Sequence, residues 1–436
     1  MPRKTQIVVV GGGAAGLELV RRLGAKFGRS NHDIILIDRS RTHIWKPLLH
    51  EVAAGSLDAN MDEVGYGGHA AKWGYRFFNG ELEDIDRDSR HVITAPMLDD
   101  DGNEIIARHR IRYDYLVLAV GGISNDFGVE GVREHCLFLE NREQADVFRK
   151  KLLNRCLSVS HQSETVGGDP RVRIAIVGGG ATGVELAAEL YNAAKGLRHY
   201  GLEVFDESRL DVTLLEAGPR LLPALPEKLA EAAEAELSTL GVGVQTNTQV
   251  VTVDRAGITT KNGHRIEADL MLWAAGVKGP ELLNGIGGLE TNARNQVVVH
   301  PTLQSVTDER IFAIGDCCAC PQADSDAPVP PRAQAAHQMA KCAFQNLVAI
   351  TTGQPPKPFK YEDHGSLVSL SRFSTVGSLM GNLVGGRMAV EGRLARFAYV
   401  SLYRMHLIAI HGWLRGLALI AVGHVNQIVR PKLKLH

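Results

Sequence analysis

Residues 6–16, QIVVVGGGAAG, decide the fold, together with the helical run that opens at Leu17. Ile7 to Val10 are four β-branched residues in a row, which predicts a buried strand. The glycines end that strand, and a second apolar run, NHDIILID, closes on Asp38, 22 positions after Gly16. Strand, glycine turn, helix, strand and terminal acid make up a Rossmann-like unit. Each part has a physical task. Gly11 permits the tight turn, Gly13 lets backbone approach a pyrophosphate, and Gly16 lets helix and strand pack closely. The helix N-terminus presents unpaired N–H groups to phosphate oxygens. Gly11, Gly13, Ala14 and Gly16 are therefore candidate cofactor-binding residues, with Asp38 as the acceptor for a ribose diol.

The pattern recurs at 171–190, RVRIAIVGGGATGVELAAEL, where Gly178, Gly180, Thr182 and Gly183 hold the fingerprint positions. The strand DVTLLE then ends in Glu216, 33 residues after Gly183. The extra length is read as a polar insertion over 192–210. One such glycine motif is weak evidence, since many glycine turns bind nothing. Two copies, each with its strand, helix and acid, predict two nucleotide-binding units in one chain.

A third signature orders them. TDERIFAIGD (307–316) sets Gly315 and Asp316 at the end of an apolar strand and resembles the second FAD motif of the two-dinucleotide-binding flavoproteins. YDYLVLAVGG (113–122) and DLMLWAAGV (269–277) resemble the strand-then-glycine crossings of such chains, with Gly121 and Gly276 at the crossings. That resemblance implies an FAD-binding domain in two parts, 1–125 and 296–365, around a connecting segment, 126–165, and an NAD-binding domain, 166–295. Residues 366–436 follow as a C-terminal region. Gly11, Gly13, Ala14, Gly16, Asp38, Gly121 and Asp316 then face FAD, and Gly178, Gly180, Thr182, Gly183, Glu216 and Gly276 face NAD. Glu216 would repel a 2′-phosphate, and Ala217-Gly218-Pro219 offers no cation to offset it, so NADH is expected over NADPH.

The composition is that of a folded protein, 44% apolar and 22% charged, and its length calls for two or three domains. A net charge of −1 argues against nucleic acid as a partner. The balance is uneven, however. From Arg387 onward there are eight Lys/Arg against the single acid Glu391, leaving about −8 on the remainder. Within that tail, LYRMHLIAIHGWLRGLALIAV (402–422) has no charge-free run long enough to span a bilayer. Read as one helix, it aligns Arg404, His411 and Arg415 with Arg393 on one stripe, and Leu, Ile, Met and Trp cover much of the rest. This is the pattern of a helix lying in a membrane interface, with Arg430, Lys432 and Lys434 adding to the attraction. A core helix or a dimer interface is the alternative. The N-terminal apolar run is too short for a signal peptide or a span, which leaves the chain facing the cytosol.

Six cysteines, at 136, 156, 317, 318, 320 and 342, do not form a secreted disulfide framework. Cys317 and Cys320 make one C-x-x-C, readable as buried reduced thiols or as half of a metal or redox site, and no metal is assigned. No cysteine precedes Cys136, so the thiol pair with which flavin disulfide reductases relay electrons is missing, and an acceptor must meet the flavin directly.

With HIWKPLLHEVAAGSLD (43–58), VPPRAQAAHQMA (329–340), HGSLVSLSRFSTVGSLMGN (364–382) and the basic ending RPKLKLH, the chain resembles the type II, non-proton-pumping NADH:quinone oxidoreductases of bacterial respiratory membranes over essentially its full length. The resemblance implies an α/β fold with two Rossmann-like domains, for FAD and NAD, plus a C-terminal amphipathic membrane-anchoring region. It implies hydride transfer from NADH to FAD, two electrons passed to a ubiquinone-class quinone, and a peripheral place on the cytoplasmic face of the inner membrane, with a homodimer as a further implication. Gln334 and His337 would lie by the quinone head group, on a helix that opens after Pro330-Pro331. Glu185 would stand at the NADH–flavin contact as a proton relay, and Lys46 would touch the flavin. Each has an ordinary alternative: a surface glutamine, a first-turn acid favoured by the helix dipole, a solvated lysine. Some family members carry a lysine where His364 stands, and no catalytic role is assigned to it.

Overall fold

The computed structural model describes residues 3–29, 32–99, 101–165, 169–197, 205, 207–322, 327–370, 375–381, 386–391 and 403–429. Contacts divide the chain into two units, each assembled from three separate segments.

Unit one comprises Met1–Trp45, Glu63–Ile123 and Val277–Asp363. Its centre is a five-stranded parallel sheet in the order Ile311–Ala313, Tyr115–Leu118, Thr5–Val10, His32–Asp38, Arg76–Asn79. Ile7 to Val10 lie in the middle of this sheet and are buried, which is why they form an unbroken apolar run rather than an alternating one. Val10 pairs with Leu118 on one side and Ile37 on the other, so the three strands end together beneath the first glycine turn. Helix Ala14–Phe27 leaves that turn and packs against helix Ala333–Thr351. A three-stranded antiparallel sheet, Leu82–Asp86, His91–Thr94 and His109–Arg112, completes the unit.

Unit two comprises Lys46–Asp62, Ser124–Gly276 and His364–His436. It repeats the plan with four parallel strands in the order Gly243–Gln245, Leu210–Leu215, Val172–Val177, Leu270–Trp273. Helix Ala181–Leu197 follows its glycine turn. Residues 192–197, read from sequence as the start of a polar insertion, instead continue this helix, because Ala193, Ala194 and Leu197 are buried on its inner side. Residues 198–204, the centre of that reading, lie outside the described residues. The stretch read as a connecting segment contains the 24-residue helix Arg142–Thr165, against which the short helix Leu49–Ala54 packs. The same short helix also packs on Ala181–Leu197.

The C-terminal region opens with an antiparallel sheet, Gly365–Ser369, Thr375–Gly381 and Gly386–Glu391, that its sequence did not announce. Beyond it, the single continuous helix expected over the apolar tail is corrected. Residues 403–411 are helical, and a second helix runs Trp413–Val429. Gly412 separates them at φ +78°, a left-handed geometry that interrupts the helical phase, so Arg404 and Arg415 cannot be placed on one stripe by a constant turn per residue. Gly416 then admits the backbone of Ile408, since a Cβ there would stand 2.9 Å from the Ile408 Cα. Arg393, Arg430, Lys432, Lys434 and the RPKLKLH ending lie outside the described residues, as do 371–374 and 382 of the 364–382 motif. No helix among the described residues is long and apolar enough to cross a membrane.

Candidate active site

The two glycine turns are built alike, each within its own unit. Gly11 and Gly178 turn the chain at φ +101° and +115°. Gly16 and Gly183 are where helix and turn touch. A Cβ at Gly16 would stand 1.8 Å from the Gly11 carbonyl oxygen, and one at Gly183 would stand 2.1 Å from that of Gly178. Gly13 and Gly180 are the opposite case: among the described residues, no atom beyond the adjoining backbone lies within 4 Å of where a Cβ would be. This open space lies at the start of a 14-residue helix in unit one and a 17-residue helix in unit two. Ala14 and Thr182 sit in the first turns of those helices, with Thr182 exposed.

The two acids take the same part in each unit. Asp38 Oδ2 accepts the Gly12 N–H at 2.6 Å, and Oδ1 accepts that of Ser40 at 2.8 Å. Glu216 Oε2 accepts the Gly179 N–H at 2.7 Å, and Oε1 accepts that of Gly218 at 2.6 Å. Each carboxylate thus fixes the middle glycine of its turn while keeping lone pairs for a diol. Arg220, the first cation after Glu216, donates to the carbonyls of Leu225 and Pro223 at 2.9 and 3.0 Å. It is held by its own loop.

In unit one, Gly315 donates its N–H to Met339 Sδ at 3.2 Å, which fastens helix Ala333–Thr351 to the Gly315–Asp316 turn. Gln296 Nε2 donates to the Asp316 carbonyl at 2.9 Å. Gly121 stands at the end of strand Tyr115–Leu118 with open space beside it, and in unit two Gly276 follows Leu270–Trp273 against the ring of Phe127. Lys46 is exposed and opens the single-turn helix Lys46–Leu48, in the segment that belongs to unit two.

Gln334 and His337 stand three residues apart near the start of Ala333–Thr351. Gln334 Nε2 donates to Asp363 Oδ1 at 3.0 Å, and Arg332 Nη1 reaches Asp363 Oδ2 at 3.2 Å. Gln338 and Glu362 exchange hydrogen bonds at 2.7 and 2.9 Å, which pins the segment 362–363 beside the start of this helix. With its amide N–H directed to Asp363, the Gln334 carbonyl is oriented by a neighbour rather than by solvent. In unit two, Glu185 is almost fully buried on helix Ala181–Leu197. Its Oε2 is 3.5 Å from His50 Nδ1, and its Oε1 accepts the Ser369 N–H at 3.1 Å. Burial pushes the His50 imidazole down to about 4, against the opposing pull of a bond to the Pro47 backbone. A neutral imidazole therefore accompanies Glu185 at physiological pH.

A model of the pyridine nucleotide-disulphide oxidoreductase family matches residues 5–340. A type II NADH:quinone oxidoreductase of Haemophilus influenzae is 46% identical over 442 residues, covering 99% of each chain. The chain belongs to the type II NADH:quinone oxidoreductases. One from Staphylococcus aureus is 29% identical over 88% of this chain and 92% of its own. Among solved structures, NDH2 from Plasmodium falciparum in complex with NADH superposes with a TM-score of 0.82 at 19% identity, covering 99% of this chain and 100% of that one, which is a likeness of fold.

Two residues of this oxidoreductase that contact expected site residues, one in each unit, are absent from the sequence reading. His50 lies inside the quoted WKPLLHEV stretch, and a histidine on the apolar side of a short helix was the only available signal. Glu18 is the other. It sits among Leu17, Leu19, Val20 and Leu23, all fully buried, and meets His337 from 319 positions away. The cysteines are buried free thiols, except for the half-buried Cys342. Burial pushes Cys136, Cys156, Cys317 and Cys320 up to about 12, and Cys318 well above its ordinary value. Among the described residues, no group of three or more His, Cys, Asp or Glu is placed to hold a metal ion.

Proposed function

We propose that this chain is a peripheral membrane enzyme that oxidises NADH and reduces a ubiquinone-class quinone without moving protons across the bilayer, with FAD held by unit one and NADH by unit two. The observation that carries this is the pair of glycine turns that are tight at Gly16 and Gly183 but open at Gly13 and Gly180. Space that the chain itself could fill with a methyl group, yet leaves empty at a helix N-terminus in both units, fits a pyrophosphate. FAD, when bound, supplies a carrier that accepts hydride from NADH and yields two electrons to the quinone.

The residues act on what is bound. Gly11, Gly13, Ala14 and Gly16 cradle the FAD pyrophosphate, Asp38 binds the adenosine ribose, Asp316 binds the ribitol, and Gly121 and Lys46 contact the flavin portion. Gly178, Gly180, Thr182 and Gly183 cradle NADH, with Glu216 on its ribose and Gly276 against its nicotinamide half. Glu185, backed by neutral His50 and the Ser369 N–H, orients the nicotinamide and holds a proton at a carboxylate oxygen. Gln334, fixed by Asp363, and His337 bind the quinone head group.

The tail supports the membrane assignment. Residues 403–422 expose Met405, Trp413, Leu414, Leu417 and Val422, with Leu414 87% accessible. An apolar surface of this kind beside Arg404 and Arg415 suits insertion among headgroups on the cytoplasmic face of the bacterial inner membrane. A homodimer is part of the same proposal and draws on the family resemblance.

Anaerobic stopped-flow tests the reaction. NADH should bleach the flavin, and a short-chain ubiquinone should then restore its colour. Bleaching without recovery would remove the quinone from the assignment. Removing the residues after about 390 should abolish binding to anionic vesicles while leaving bleaching intact. Unchanged vesicle binding would sink the anchor.

A further inference from the structure

Glu18 has no part in the reaction as assigned so far, yet it is a carboxylate buried in unit one. Its carboxylate is 3% exposed, on the face of helix Ala14–Phe27 that packs on Ala333–Thr351. Both oxygens are committed. Oε2 is 2.5 Å from His337 Nδ1, and Oε1 is 2.6 and 2.7 Å from Nη2 and Nε of Arg22. Burial by itself would raise the Glu18 carboxyl, but the bond and charge of His337, together with Arg22, offset this and hold it below the ordinary value. The group stays a carboxylate and is unsuited to passing protons itself.

Buried charge pairs of this kind are weak stabilisers. Well-packed apolar residues of the same volume often match or exceed them, so a core position that served packing alone has no reason to carry an acid. What the acid does here is directional. A carboxylate on Nδ1 fixes the imidazole ring in orientation and keeps a proton on that nitrogen, leaving Nε2 as the atom that faces chemistry. Trp45 limits the ring from another side, with centroids 5.5 Å apart and planes 30° apart.

We propose that Glu18 is the positioning residue for His337 at the quinone end of the reaction, holding the imidazole by Nδ1 and compensating the charge it carries when Nε2 delivers a proton to a quinone oxygen. The inference rests on the assignment of His337 to the quinone head group. In the step, the Nε2–H bond breaks and a hydroquinone O–H bond forms. The hydride taken from NADH accounts for both electrons and for the second hydroquinone proton, and solvent reprotonates the ring, so that one NADH, one proton and one quinone give NAD+ and hydroquinone. Arg22 balances the second carboxylate oxygen, so the buried group is not left with an uncompensated charge during the transfer.

The test separates the half-reactions in the full-length holoenzyme. Glu18→Gln should leave flavin content and NADH bleaching unchanged and slow ubiquinone-dependent reoxidation by about 10²-fold, the usual scale for a disabled acid–base group. His337→Gln should slow the same phase, and the double variant should be no slower than the worse single one, because the two residues act as a unit. Glu18→Asp, which keeps the charge, should recover part of the rate. Nitrogen-15 NMR of labelled histidine should show the His337 ring protonated at Nδ1 in the unmodified enzyme and altered in Glu18→Gln. Slow reoxidation in His337→Gln with a normal rate in Glu18→Gln would overturn the positioning role alone. Normal reoxidation in both would overturn the His337 assignment beneath it. Equal slowing of bleaching and reoxidation in Glu18→Gln would reduce Glu18 to a structural residue.

Discussion

The contrast between Gly180 and Gly183 gives the sharpest test of the NADH cradle. Alanine at Gly183 would put a Cβ 2.1 Å from the Gly178 carbonyl oxygen, well inside van der Waals contact, with the Ile176 Cγ2 methyl at 3.3 Å. The helix must back away from its turn, an overpacking strain of about 1–3 kcal/mol. In a unit of this size each kcal/mol lowers the melting temperature by roughly 2–4 °C. Alanine at Gly180 meets nothing within 4 Å, so its effect on stability should stay within about 0.5 kcal/mol. The methyl group would instead occupy space proposed for the pyrophosphate. Losing one hydrogen bond to a charged phosphate costs about 1.5–3 kcal/mol, which weakens NADH binding by roughly 10- to 150-fold. Anaerobic NADH titration of flavin absorbance reads the affinity, and differential scanning fluorimetry reads the stability. Gly180→Ala should lose affinity and keep its melting point. Gly183→Ala should lose its melting point first. Unchanged NADH affinity in Gly180→Ala would refute the cradle, and a neutral Gly183→Ala would refute the packing argument.

Three further outcomes are expected. His50 is held neutral with its value near 4 against an ordinary 6.5, so the unfolded chain takes up the proton first as pH falls. Its contribution is complete above about pH 6.5 and is lost toward pH 4, at no more than about 1.4 kcal/mol per pH unit. Urea unfolding across that range should fall less steeply in His50→Asn than in the unmodified protein, and parallel slopes would count against the burial argument. Glu216→Gln should improve NADPH relative to NADH by about tenfold in kcat/KM, since it removes the charge facing a 2′-phosphate; an unaltered ratio would take Glu216 off the ribose. A thiolate-selective reagent at pH 8 should label Cys342 before the other cysteines, because it alone is half-buried and is pushed up only to about 11. Mass mapping that finds Cys317 or Cys320 modified first would contradict the buried-thiol picture.

The sequence by itself determined the α/β class and the two dinucleotide units, because those signals are local. Ile7–Val10 and Ile174–Val177 read as buried strands on their own, and each glycine turn lies within a few residues of the strand it ends. The acids Asp38 and Glu216 were legible for the same reason, as the last positions of apolar runs. Only the tertiary structure decided what those acids hold, since their bonds to Gly12 and Gly179 join positions 26 and 37 apart. It also decided the company of the candidate catalytic groups. His50 reaches Glu185 because the short helix Leu49–Ala54 packs on Ala181–Leu197, and Glu18 reaches His337 because Ala14–Phe27 packs on Ala333–Thr351. Periodicity assigns a buried position to such a helix face but is blind to which distant face will cover it. The tail shows the same limit from the other side. Its apolar and basic composition was plain in the chain, whereas the break at Gly412 depended on a left-handed backbone and on the close approach of Ile408 to Gly416, which only folding brings about.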